Sequence, residues 1–201
     1  MNVPTLTRRQ YTPPKGQDFV ADMTLVPGRA HEFCGPARRT LALMLAARME
    51  GPVFWIRTRW DGDRLHGPGV VPFMDPARLT FVEPERREDL LWCTEEVLRT
   101  GAIGLVVTEL PEPPPLTPVR RLHLAAEAGG AGSKAPIAVL LTPENGGAQG
   151  AESRWHLAPA HGPEETRWRL GRRRARMAPQ AEFDITWTCK RAQLAKEARS
   201  A

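Results

Sequence analysis

The chain has 201 residues, is 41% hydrophobic and carries a formal charge of +5. That content is enough to bury one core. No run of about 18 apolar residues reads as a transmembrane helix and residues 1–19 lack the apolar centre of a signal peptide, so a single cytoplasmic domain is the expectation.

Residues 1–24 are polar, proline-bearing and aperiodic and read as an N-terminal arm, partly disordered. "RAHEF" is a short strand and "CGPA" a turn. "RRTLALMLAARME" places Leu41, Met44, Leu45 and Arg48 at helical spacing, so a helix starts between Pro36 and Arg39. "GPVFWIRTR" is a strand after a Gly-Pro stop. "WDGDRLHGPGVVPFMDPA" is a connection, and "RLTFVEP" a strand. "ERREDLLWCTEEVLRTG" is a helix with acidic residues early. Leu90, Leu91, Thr94, Val97 and Leu98 form one face, and Gly101 stops it. "AIGLVVTEL" and "APIAVLLTP" are strands buried on both faces. Between them lie the stiff loop "PEPPPLTP" and the helix "VRRLHLAAEAGG". "ENGGAQGAES" reads as a flexible loop. "SRWHLAP", "ETRWRLGRRRAR" and "AEFDITWTC" alternate with period two and predict antiparallel strands with one solvated face. Residues 188–201 read as a charged tail, helical or frayed.

This order predicts an α/β domain: a mostly parallel central sheet flanked by helices, extended by C-terminal antiparallel strands. Ligands of such sheets sit at the carboxyl ends of the strands. There the sequence sets the "CGPARR" turn, the "RTRWDG" loop, the "TELPEPPP" loop and the "TPENGGAQGAES" loop. Residues 28–56 begin like a phosphate-binding turn, but the lysine is missing.

In this order, "LVPGRAHEFCGPARRTLAL", "LTFVEPERREDLLWCTEEVLRTGAIGLVVTEL" and "GRRRARMAPQAEFDITW" resemble the ATPase core of the RecA recombinase family over residues 25–187. "HEFCGPARRTLAL", "LWCTEEVLRTGA" and "ELPEPPPLTPVRRLHLAAE" are most similar to the ImuA-type members. The resemblance implies a RecA-like fold and an accessory part in SOS-induced mutagenesis and translesion synthesis. The implied partners are an ImuB-like polymerase relative, RecA and the translesion polymerase complex.

A phosphate loop follows G-x-x-x-x-G-K-[ST], with backbone N–H groups around a phosphate, a lysine on the β and γ oxygens and a hydroxyl for magnesium. Gly35 starts that pattern, but without a gap no glycine, lysine or hydroxyl stands in place. Deleting two positions sets Arg39 at the lysine and Thr40 at the hydroxyl, and leaves the loop too short. In the family a catalytic glutamate follows the second strand, where this chain has Arg57 or Thr58. The Walker B aspartate falls near Thr108, with Glu109 beside it, and the family's glutamine switch near Thr142. No ATP hydrolysis and no cofactor are expected. A helix N-terminus with Gly35, Pro36, Arg38 and Arg39 leaves weak ATP or anion binding open.

The family's DNA loops correspond to "PEPPPLTP", rigid and acidic, and "TPENGGAQGAES", without a cation until Arg154. The cationic stretch is the hairpin bearing Arg167, Arg169, Arg172, Arg173, Arg174 and Arg176. These arginines could track a phosphate backbone, with Trp155 or Trp168 stacked on a base of single-stranded DNA, or form a solvated or partner-binding face. The arm and tail are further docking candidates. Cys34, Cys93 and Cys189 lack a CxxC pair and read as reduced, buried thiols. Asp61, Asp63 and His66 read as a polar turn, and the other histidines show no ligand spacing, so no metal is expected.

Overall fold

Two uninterrupted apolar runs carry the centre of the molecule, because a strand covered on both faces needs no polar alternation. The computed structural model describes residues 16–21, 23–60, 62–131, 134–163, 165–176, 178–188 and 191–199. Most of the expected arm, together with Asp61 and Cys189, lies outside the described residues.

In chain order the elements are β1 (Gln17–Val20), β2 (Met23–Leu25), β3 (Ala30–Cys34), α1 (Arg38–Ala46), β4 (Val53–Ile56), the single turn α2 (Gly67–Val70), a 3₁₀ turn (Pro76–Arg78) and β5 (Leu79–Val82). There follow α3 (Asp89–Thr100), β6 (Leu105–Glu109), α4 (Leu116–Gly129), β7 (Ile137–Leu141), β8 (Ser153–Pro159), β9 (Arg167–Ala175), β10 (Ala181–Thr188) and β11 (Arg191–Arg199). β6 carries Leu105, Val106 and Val107 ahead of Thr108 and Glu109, β7 is apolar throughout, and every residue in both is buried. Gly101 ends α3 in the left-handed conformation, its N–H donating to the Leu98 carbonyl.

The main sheet has the order β11-β10-β9-β8-β3-β7-β6-β4-β5. Pairing is parallel from β5 through β8 and antiparallel from β8 to β11. The domain is therefore mixed α/β with a mostly parallel sheet and an antiparallel extension, as the element order predicts. Its faces are sorted by strand alternation. On β6, Leu105 and Val107 join α1, Phe33 and Trp55 in one core, while Val106 joins α3 and α4 in the other.

Two expectations are corrected. The end of the expected arm, from residue 17, is not arm: β1 and β2 pair as a hairpin over α1. Phe19 is fully buried, with its ring 5.9 Å from that of Phe33 and 5.0 Å from that of Trp155. Phe19, Val20 and Leu25 are the buried apolar side chains here; their spacing shows no period, yet they suffice once a core is present to receive them. The end of the chain is no helical tail either. Residues 191–199 form β11 along β10, where an available ladder outweighs the helix preference of alanine, lysine and glutamate.

Candidate functional site

The carboxyl ends of β3, β4, β6 and β7 open on one rim, which brings the loops expected there together. β3 ends in Gly35 at φ +88°, where a Cβ would lie 2.6 Å from the Leu157 carbonyl oxygen. Only glycine makes this turn without strain. The backbone donors of the turn are already engaged. The Gly35 N–H donates to the Glu144 carbonyl (2.8 Å), that of Ala37 to the Leu157 carbonyl (3.0 Å) and that of Arg38 to the Gly35 carbonyl (3.3 Å). Pro36 has no N–H to offer. The nest that would wrap a phosphate is therefore occupied by the protein itself. Thr40 is half-buried on the first turn of α1.

Arg39, the residue at the lysine position in the shortened alignment, meets Glu109. Its Nε lies 3.1 and 3.0 Å from the two carboxylate oxygens and its Nη2 lies 2.5 Å from Oε2. Trp55 Nε1–H donates to Oε1 at 2.6 Å, and Asp63 lies 3.6 Å from Arg39 Nη1. A buried carboxylate held by a guanidinium fork and an indole N–H has little left with which to bind magnesium. Thr108 points to the other face: its hydroxyl lies 2.6 Å from that of Thr94. Thr94 donates to the Leu90 carbonyl at 2.7 Å, so Thr108 is the donor to Thr94. Thr108 and Glu109 are thus split across the sheet, with Glu109 toward α1 and Thr108 toward α3.

At the end of β4, where the family resemblance sets a catalytic glutamate, Arg57 is buried. It pairs with Glu83 at 3.0 Å and donates to the Asp63 carbonyl at 3.1 Å. Beside these clusters a cleft of about 360 Å³ is bordered by Arg38, Thr58, Trp60, Arg87, Glu109 and Leu110.

Glu32, fully buried on β3, organises the next part of the rim. Its Oε1 accepts from the Thr142 hydroxyl (2.7 Å) and from the N–H groups of Gly147 (2.7 Å) and Ala148 (2.9 Å). Its Oε2 pairs with Arg154. The loop after β7, expected to be flexible, is therefore pinned along its backbone. Gly146 at φ +71° leaves room for the carboxylate, since a Cβ there would sit 2.6 Å from Oε1. Arg154 is thereby removed from the DNA contacts the sequence suggests: it is the counterion of a buried glutamate. A charged residue in the middle of "AHEFC" was the available signal for this centre, but its partners lie more than a hundred positions away.

Three of the six arginines of the hairpin pair with carboxylates. Arg167 pairs with Glu165, Arg169 with Asp184 across β9 and β10 at 3.4 Å, and Arg173 with Glu182 at 3.2 Å. Arg172 turns to the opposite face, over the rings of Trp155 and Phe183 at 5.8 and 5.5 Å. Trp155 and Trp168 are buried in the core. Neither ring is placed to stack on a base, which corrects the sequence expectation. Arg174 and Arg176 stand apart beside α4.

Sequence reasoning also missed a buried relay. His31 Nε2–H donates to the Val26 carbonyl (3.0 Å), so Nδ1 accepts from the Ser153 hydroxyl (2.7 Å), and Ser153 accepts from Trp155 Nε1–H (2.9 Å). Burial lowers the His31 pKa to about 4. Cys34 is buried as expected, and burial together with nearby Glu32 pushes its thiol up to about 12. Among the described residues no three histidine, cysteine or acidic side chains are placed to hold a metal ion, and no helix is long and apolar enough to cross a membrane. No family model matches the chain, and no curated protein matches it.

Proposed function

We propose that this chain is a catalytically silent RecA-like domain of the ImuA type. It acts by contact, as an accessory or scaffold in damage-induced mutagenesis and translesion synthesis. The observation that carries the reading is the Arg39–Glu109–Trp55 cluster. A triphosphate entering the turn would have to draw Arg39 off a buried carboxylate. It would also meet N–H groups already donated to Glu144 and Leu157. Phosphoryl transfer rests on positioned cations and an oriented water. Here one cation position is tied to Glu109, and the end of β4 carries an arginine.

The sheet order supports the RecA-like part of the reading, since the segments that carry the resemblance fall on β3–α1, β5–α3–β6 and β9–β10. A domain with this shape and no turnover serves by docking. Its candidate partners are the ImuB-like polymerase relative, RecA and the translesion polymerase complex. The ion pairs of the hairpin count against a broad DNA face.

Two measurements test the proposal. Phosphate release from ATP with magnesium is expected to match buffer alone, and ATP is expected not to raise the unfolding temperature. Arg39→Lys, which restores the lysine, is expected to stay as inactive, because Glu109 would hold a lysine as well and the turn remains occupied. Turnover by the unmodified chain, or by Arg39→Lys, would defeat the silent-site reading. In the second measurement, tagged protein recovered from DNA-damaged cells is expected to bring down the ImuB-like polymerase relative or the recombinase. Recovery of neither would defeat the scaffold reading.

A further inference from the structure

Beside α4, next to the end of β9, lies a second cleft, of about 520 Å³. Four arginines line it: Arg29, Arg120, Arg174 and Arg176, with Glu127 and Glu152. Arg29 pairs with both glutamates, with Glu152 at 3.9 Å. Arg120, Arg174 and Arg176 have no carboxylate partner among the described residues, unlike Arg167, Arg169 and Arg173 of the hairpin. The same wall carries an apolar element, because Leu124 is 66% exposed. His123 borders the cleft, and its Nε2 is buried without a hydrogen-bond partner among the described residues, although nearly all buried polar atoms in folded proteins have one.

We propose that this cleft docks an acidic segment of a protein partner that also brings an apolar side chain. Its carboxylates meet Arg120, Arg174 and Arg176, and its apolar group covers Leu124. The planar guanidinium fork matches a carboxylate in two parallel bonds. Nucleic acid fits less well, because no Phe, Tyr or Trp among the described residues lines the cleft to stack on a base. The inference rests on the reading of the chain as a contact-making module. It adds the surface and the chemistry of the segment bound.

The test uses the full chain and a fluorescein-labelled octapeptide alternating aspartate with leucine. Its companion replaces leucine with serine, and oligo-thymidylate is the competitor. Binding is expected in fluorescence anisotropy. The double variant Arg174→Glu, Arg176→Glu is expected to weaken it by more than about tenfold, the equivalent of about 1.4 kcal/mol. Leu124→Ser and the serine peptide are each expected to lower affinity about threefold, as for partial loss of an apolar contact. Arg167→Glu with Arg169→Glu, an equal charge reversal outside the cleft, is expected to leave affinity within about twofold. All these side chains are at least partly exposed, and an unchanged unfolding temperature shows that each variant folds. The proposal is overturned by any of four outcomes: no peptide binding, equal loss in both double variants, equal binding of the two peptides, or displacement of the peptide by oligo-thymidylate at lower concentration. Because the probes are synthetic, these outcomes are independent of ATP turnover and of partner recovery from cells.

Discussion

Arginine does opposite work in two regions of this molecule. On the rim above β3, β4 and β6, Arg39, Arg57 and Arg154 each lie against a carboxylate that is buried or partly buried: Glu109, Glu83 and Glu32. In the cleft beside α4, Arg120, Arg174 and Arg176 line open space with no such partner among the described residues. The first group closes a site and the second leaves one available. What separates them is the location of the acids, which a count of charges cannot give.

The largest effect is expected where a buried charge loses its partner. Glu32→Ala leaves Arg154, the Thr142 hydroxyl and two loop N–H groups without their acceptor, and should cost about 3–5 kcal/mol in denaturant unfolding. A loss near 1 kcal/mol would show that the rim is less sealed than its geometry states.

The next effect comes from the buried group without a countercharge. The folded His31 pKa of about 4 lies below the ordinary 6.5, so the folded state binds fewer protons between those values. Stability from this residue is complete above about pH 6.5 and is lost as pH falls toward 4, by about 3 kcal/mol. Urea titrations at pH 7 and pH 4.5, with His31→Gln as the reference, should show the steeper acid loss in the unmodified chain.

The smallest effect belongs to the solvated hairpin. Arg169 is about half exposed, and Arg169→Ala should change stability by less than about 1 kcal/mol. A loss as large as that of Glu32→Ala would erase the distinction between the two regions.

Much of the scaffold could be read in advance because its signals are local. The runs at 105–109 and 137–141, the helix stop at Gly101 and the period-two strands near the end each announce themselves within a dozen residues. The missing lysine was equally plain. The contents of the rim were not. Arg39 finds Glu109 across 70 positions, and Arg154 finds Glu32 across 122, so no spacing rule links them. Residues from 17 to 24 were read as arm because Phe19 acquires meaning only against Phe33 and Trp155. The final strand was missed because an available edge, and not its own composition, decides its state.

The position of β3 in the chain has a consequence for biosynthesis. Its two neighbours in the sheet, β7 and β8, are made more than a hundred residues after it. While the nascent chain leaves the ribosome, β3 has neither ladder to join, and Phe33 and Glu32 wait without their late partners. Closure of the domain is therefore a late and non-local event, of the kind that slows folding and lengthens exposure to chaperones.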